Sequence, residues 1–126
     1  MTDVTVAEVL RTDNGRTSTQ VLTTDPTTAV GDVLVIVYGS DFFSFATMPD
    51  ATSSAGVLTP MGSVDVGTNF GHMKAYRVTV TETGAKTVTI PNHTGCDIFG
   101  VVLRLPGGVL VDGDTASALE IGRAHV

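Results

Sequence analysis

Two polar stretches of the sequence contain residue types that bind metal ions. In "NHTGC", His93 and Cys96 have a plausible ligand spacing, but a zinc site needs four ligands, or three and a water, and no second pair follows. In "VDGDTAS", Asp112 and Asp114 have a D-x-D spacing that suits calcium, yet calcium takes about 6–8 oxygen ligands and the run is not completed. We therefore expect no cofactor and no metal, with Asp112 and Asp114 as weak calcium candidates in a plain Asp-Gly turn.

The longest irregular segment, "SDFFSFATMPDATSSAG" (40–56), holds the candidate binding residues. Its first half contains four large apolar side chains, Phe42, Phe43, Phe45 and Met48. An aromatic-rich loop at the end of a sandwich can seat a sugar or a neighbouring subunit. The same side chains can instead plug the end of the core, because the chain has few aromatic residues with which to fill it. Both interpretations stay open at this point.

The sequence supplies no recognisable catalytic arrangement. His93 and Cys96 are too close in sequence for a strand-borne dyad, and nothing orients the imidazole. His72 is more readily explained as a rim or core histidine. No nucleophile elbow, phosphate loop or triad order can be assembled, so we expect a protein that is not an enzyme. The alternative of an enzyme fragment requires acids and a histidine to converge around Asp41, Asp97 and His72.

Composition restricts the class of protein and its partners. The chain has 126 residues, 42% of them hydrophobic and 16% charged, which is typical of one globular domain. The net charge is −6 and no Lys/Arg cluster occurs, which argues against nucleic acid as a partner. No apolar run is long enough for a membrane helix, and the N-terminus lacks the pattern of a secretory signal. A single cysteine cannot form an internal disulfide.

Strand signals dominate the chain, and turn residues separate them at short intervals. The spans expected to be extended are 3–10, 18–24, 33–39, 57–65, 71–82, 86–90 and 97–105, with a short strand at 109–111. "VLVIVY" is apolar throughout, which predicts a central strand covered on both faces. "KAYRVTV" alternates, with Tyr76, Val78 and Val80 on one face. The pattern predicts an all-β fold, an antiparallel β-sandwich or jelly roll.

The order of these elements resembles a β-sandwich domain that is widespread in phage tail and other virion proteins, and that also occurs in bacterial surface proteins. Its pattern is matched over residues 3–112. The matching positions are Gly31-Asp32, Gly62-Ser63, Ala75-Tyr76-Arg77-Val78, Thr87-Val88-Thr89 and Leu103-Arg104. One departure is clear, because Val57 stands where the family usually has a tryptophan. A ligand contact attributed to that ring cannot be carried over to this chain.

The last seven residues, "EIGRAHV", have the sequence that a common short-read sequencing adapter would encode, gagatcggaagagcacacgtc, followed by a stop. We therefore expect a single sandwich domain over 1–119 and an adapter-derived tail over 120–126. This implies a metagenomic reading frame and a sandwich that is incomplete at its C-terminus.

The resemblance implies a non-enzymatic structural or adhesion domain of a phage virion, in a minor tail or tail-fibre protein made in the host cytoplasm. Its partners would be other virion subunits or a host-surface glycan, with homo-oligomerisation as a natural extension. The alternative is a carbohydrate-binding module of a bacterial surface or secreted protein. That alternative fails if Tyr38, Tyr76 and the three phenylalanines of 40–56 are all buried.

Overall fold

The computed structural model describes residues 5–15, 19–40, 49–67, 71–91 and 98–107, with the backbone alone at 13–15, 40, 64–67, 71–72 and 98. These residues form strands and no helix. The strands are β1 (Glu8–Gly15), β2 (Gln20–Thr23), β3 (Val33–Ser40), β4 (Thr52–Ser53), β5 (Thr59–Gly67), β6 (Gly71–Thr79), β7 (Thr87–Ile90) and β8 (Ile98–Leu105).

The strands form two antiparallel sheets. One sheet has five strands in the order β1-β8-β3-β6-β5, and the other has three in the order β2-β7-β4. The first strand pairs with the last, β2 pairs with β7, and β3 pairs with β6. This is the pairing expected when one long antiparallel ribbon folds over on itself, as in a jelly roll. The expected all-β antiparallel sandwich is confirmed. Whether it is incomplete stays a prediction, because residues 108–126 lie outside the described part.

The core between the sheets is built by alternating side chains. The larger sheet contributes Leu34, Ile36, Tyr38, Tyr76, Val78 and Val102, the residue after β6 contributes Val80, and the smaller sheet contributes Val88 and Ile90. The expected alternation of β6 is therefore confirmed, as is the inward placement of Val88 and Ile90. Leu34, Ile36, Val88 and Ile90 are all 0% exposed, so this layer is the main hydrophobic contribution to stability.

The central strand β3 is buried on both faces, as its unbroken apolar sequence predicts. Leu34 and Ile36 face the smaller sheet, whereas Val33 and Val35 belong to a second apolar cluster on the opposite face. Leu103 and Leu105 of β8 join that second cluster. β3 lies between β6 and β8, so its backbone is paired along both edges.

One glycine lets the two sheets approach closely. Gly100 of β8 lies under the side chain of Ile90, and a β-carbon at Gly100 would overlap the δ-methyl of Ile90. Thr12 and Tyr38 stand beside the same position, 3.4 and 3.6 Å from where that carbon would be. A side chain at position 100 could therefore be accommodated only by moving part of the core.

Two expectations about the strands are corrected by the structure. The first strand begins at Glu8 rather than residue 3 and runs on to Gly15, with a register shift to β8 between Thr12 and Gly15, where the turn-forming Asp13 and Asn14 lie. The irregular segment 40–56 contains a strand, β4, since Thr52 and Ser53 pair with Thr89 and Val88 of β7. The short strand expected at 109–111 lies outside the described residues.

Candidate ligand-binding groove

The residues singled out in the sequence for binding or metal ligation lie mostly outside the described part of the chain. This holds for Phe42, Phe43, Phe45 and Met48, for Asp112 and Asp114, and for His93 and Cys96. His72 pairs with Ser40 and Asp65 through the backbone of β6, and its side chain is not described. The roles proposed for these residues therefore stay predictions.

The described residues form an open groove immediately after the aromatic segment. It has a volume of about 580 Å³, which falls within the range of about 300–1,000 Å³ common for small-molecule sites. Its lining comprises Asp50, Ala51, Thr52, Ser53, Gly56, Val57, Leu58, Pro60 and Tyr76. A second depression of about 290 Å³ adjoins it and shares Pro60 and Tyr76.

Asp50 is the charged centre of the groove. Its Oδ1 atom accepts hydrogen bonds from the Tyr76 hydroxyl at 2.6 Å and from Lys74 Nζ at 2.9 Å. The Asp50 side chain is nevertheless 74% exposed, whereas that of Lys74 is 23% exposed. The hydrogen bonds that described residues donate to this carboxylate both end on Oδ1.

The hydrogen bonds around Asp50 change the pKa values of the groups that make them. The hydrogen bond from Tyr76, followed by that from Lys74, lowers the pKa of the Asp50 carboxyl below its ordinary value of 3.8. Burial, together with the hydrogen bond to Asp50, raises the pKa of the Tyr76 phenol. At neutral pH the groove therefore holds an ionised carboxylate and a neutral phenol.

Tyr38, which stacks on Tyr76, fixes the backbone on either side of Asp50. The hydroxyl of Tyr38 donates to the carbonyl of Pro49 at 2.6 Å and accepts from the amide of Ala51 at 2.9 Å. The rings of Tyr38 and Tyr76 lie 6.1 Å apart and 13° from parallel, an arrangement that adds to the packing energy. Burial raises the pKa of Tyr38, which keeps its hydroxyl able to donate. Asp50 is therefore presented from a rigid support.

Part of the groove lining is apolar and exposed. The Val57 side chain follows Gly56 and is 93% exposed. Leu58 is half-buried and Pro60 is exposed beside it. The groove thus combines one carboxylate with an aliphatic surface, and the ammonium group of Lys74 lies beside it in the adjoining depression.

A second polar cluster lies at the start of β3 and supports the framework rather than a pocket. Arg104 of β8 donates from Nε to Glu8 of β1 at 3.0 Å and from Nη1 to Asp32 at 3.1 Å. Asp32 also accepts from the amide of Ala29, and Glu8 from the amide of Asp25. Burial alone would lower the pKa of Arg104, but the hydrogen bonds to Glu8 and Asp32 outweigh it and raise that pKa.

Several residues of the sequence motifs lie in the groove at Asp50 or in the polar cluster around Arg104. Asp32 of Gly31-Asp32 contacts Arg104 of Leu103-Arg104, and Tyr76 of the "AYRV" stretch holds Asp50. Asp50 and Lys74 were not expected from the sequence. Lys74 is two residues before Tyr76 in an alternating strand, which indicates the same face, but Asp50 follows an irregular segment that has no period from which to place it.

The described residues contain no cluster of three or more His, Cys, Asp or Glu side chains that could hold a metal ion. Nor does this part of the chain contain a helix long and apolar enough to span a membrane. Comparisons of the chain with protein-family models, with curated proteins and with solved structures find no match.

Proposed function

We propose that the chain is a non-enzymatic structural or adhesion domain of a phage virion, part of a minor tail or tail-fibre protein. The contact between Asp32 and Arg104 carries this proposal. Both residues belong to the motifs on which the resemblance to virion sandwich domains rests, and both contribute to the rigidity of the framework. Their role is mechanical, since each is satisfied by partners within the fold.

The architecture suits a domain that works through its surface. Paired sheets with a packed core give a rigid body, and the segments at its ends are free to vary and to bind. Partners for such a domain are other virion subunits, further copies of the same chain or a host-surface glycan. The location that follows is the virion, after synthesis in the host cytoplasm.

The genes that flank this reading frame test the proposal. Long-read sequencing of DNA that carries the gene is expected to place it beside tape-measure, baseplate or other tail genes. A secretion signal or a hydrolase domain in the same reading frame would overturn the virion proposal. Antibodies raised against the folded domain give a second test, since they are expected to label tails in negatively stained particles.

A carbohydrate-binding module of a bacterial surface or secreted protein is the second candidate, and the groove at Asp50 favours it. Neither of the two tyrosines named for this alternative meets its requirement for exposed aromatic rings. Tyr38 is 0% exposed and Tyr76 is 7% exposed, so neither offers an open ring face, and the three phenylalanines lie outside the described residues. A sugar site here would depend on the groove and not on exposed tyrosines.

A further inference from the structure

We infer that the groove between Asp50 and Val57 is a binding site for a neutral pyranose unit of a glycan, with the Asp50 carboxylate as its principal hydrogen-bond acceptor. This inference rests on the adhesive part of the proposed function and names its ligand class. A pyranose has a rim of hydroxyl groups and an apolar C–H face, and the groove has a counterpart to each.

The polar side of the groove matches a pair of adjacent hydroxyls. Oδ1 of Asp50 is occupied by Tyr76 and Lys74, whereas Oδ2 has no partner among the described residues and the side chain is 74% exposed. A carboxylate has about four lone-pair positions, so Asp50 can still accept from two ligand hydroxyls. Lys74 uses one of its ammonium hydrogens on Asp50, and it can donate the others to ligand oxygens.

The apolar side of the groove matches the C–H face of a sugar ring. Val57 is 93% exposed, and Leu58 and Pro60 line the groove beside it. An aliphatic wall opposite a few fixed polar groups is the common composition of small-molecule sites. The adjoining depression at Ser63 and Lys74 gives room for a second sugar unit.

The charges of the groove favour a neutral ligand. Asp50 is the charged residue of the groove lining, and its carboxylate is paired at 2.9 Å with the ammonium group of Lys74, which lines the adjoining depression. A free anion would be repelled by Asp50, and the ammonium group of Lys74 weakens the attraction of this carboxylate for a cation. A polyhydroxyl ligand can use both groups, since its hydroxyls donate to the carboxylate and accept from the ammonium group.

The groove is organised before a ligand arrives. The Tyr76 hydroxyl fixes the orientation of the carboxylate, and Tyr38 holds the backbone at Pro49 and Ala51. Groups held in place by their own neighbours lose less freedom on binding, so a small ligand can be bound by few contacts.

Calorimetric titration with methyl pyranosides of the gluco, manno and galacto series tests the site, since these probes are neutral and differ only in hydroxyl orientation. At least one is expected to bind, and Asp50→Asn is expected to weaken that binding about tenfold, because a neutral amide replaces a charged acceptor. Glu82→Gln is the matched control. It removes an exposed carboxylate from the turn after β6, which does not line the groove, and it is expected to bind like the unmodified chain.

Val57→Trp gives a second test, in which the aliphatic contact at this position is replaced by a larger apolar one. The position is 93% exposed, so an indole ring can be placed there without disturbing the core. The ring would offer a flat face to the sugar C–H groups, and binding is expected to tighten several-fold. Unchanged binding in Val57→Trp would overturn the contact assigned to the aliphatic side of the groove.

The remaining outcomes separate the site from the proposed function. Absence of pyranoside binding overturns the groove inference and leaves the virion role to be judged by the flanking genes. If the chain binds a pyranoside and Asp50→Asn does not weaken that binding, the sugar binds somewhere other than this groove. That result also overturns the inference. Stronger binding of an arginine-containing dipeptide than of any pyranoside would assign the groove to a peptide instead.

Discussion

Arg104 Nη1 lies 3.1 Å from Asp32 Oδ2, and this contact joins β8 to the residue that opens the central strand β3. The same guanidinium contacts Glu8 of β1 at 3.0 Å. One side chain therefore ties together three neighbouring strands at one end of the larger sheet. The side chains of Arg104 and Asp32 are each 11% exposed, so the charges depend on one another for their compensation.

Removal of the guanidinium should strongly destabilise the fold. Arg104→Met keeps much of the aliphatic length but leaves Asp32 and Glu8 without their cation, and we expect a loss of about 3 kcal/mol in the free energy of unfolding. Urea unfolding followed by circular dichroism measures this loss. Lys74→Met is the matched control, because its partner Asp50 is exposed, and we expect it to cost less than about 1 kcal/mol. Equal losses in the two variants would contradict the structural role assigned to Arg104.

Gly100 should tolerate a side chain only if Ile90 is shortened. We expect Gly100→Ala to cost about 2 kcal/mol, because the added methyl overlaps the δ-methyl of Ile90. Ile90→Val removes that δ-methyl and should by itself cost about 1 kcal/mol. The double variant should therefore lose less stability than the sum of the two single variants. Additive losses would show that the two sheets are not in contact at this point.

The Tyr38 hydroxyl should stabilise the fold through the backbone it binds. Tyr38→Phe removes both the donor to Pro49 and the acceptor for the amide of Ala51, a residue that is 4% exposed. Because a buried amide is left unsatisfied, we expect a loss of about 1–3 kcal/mol in unfolding free energy. Amide hydrogen exchange at Ala51 should accelerate in this variant by more than global destabilisation explains. Unchanged exchange relative to neighbouring residues would argue against the hydrogen bond.

The Asp50 carboxyl should titrate below its ordinary pKa of 3.8. A carboxyl whose folded-state pKa is lowered stabilises the fold above its unfolded-state pKa, and that stabilisation is lost as the pH falls through the folded-state pKa. Carbon-detected NMR of the side chain measures the midpoint. In Tyr76→Phe, which removes the main cause of the shift, the pKa should move up toward 3.8. A midpoint that is the same in both proteins would contradict the contact.

The regular strands are predictable from the sequence because the order of apolar and polar residues along each strand reflects which of its faces are buried. The unbroken apolar run of β3 and the alternation of β6 and β7 follow directly from which faces are covered. β4 could not be predicted, since a two-residue strand has no period and exists only through its pairing with β7. The second half of β1 contains Asp13, Asn14 and Gly15, and the pairing with β8 skips Asp13 and Asn14 and resumes at Gly15, an irregularity that no alternating pattern predicts.

The groove is less predictable because its parts come from separate places in the sequence. Tyr76 belongs to a recognisable stretch, but its hydroxyl meets Asp50 across 26 residues of sequence. Nothing in the local pattern around Asp50 shows that Tyr38 and Tyr76 hold this segment. The exposure of Val57 is likewise a product of the fold, since an apolar residue after a glycine is as readily placed inside as outside.

The separation of this sandwich into a rigid framework and a ligand-binding groove is tested most directly by amide chemical shifts during titration with the best-bound pyranoside. The shifts are expected to change for residues 50–58, 63, 74 and 76 and to stay constant for Glu8, Asp32 and Arg104. If the largest chemical-shift changes lie around Arg104, or if no amide shift changes at about tens of millimolar sugar, the claim that the groove binds the sugar is contradicted.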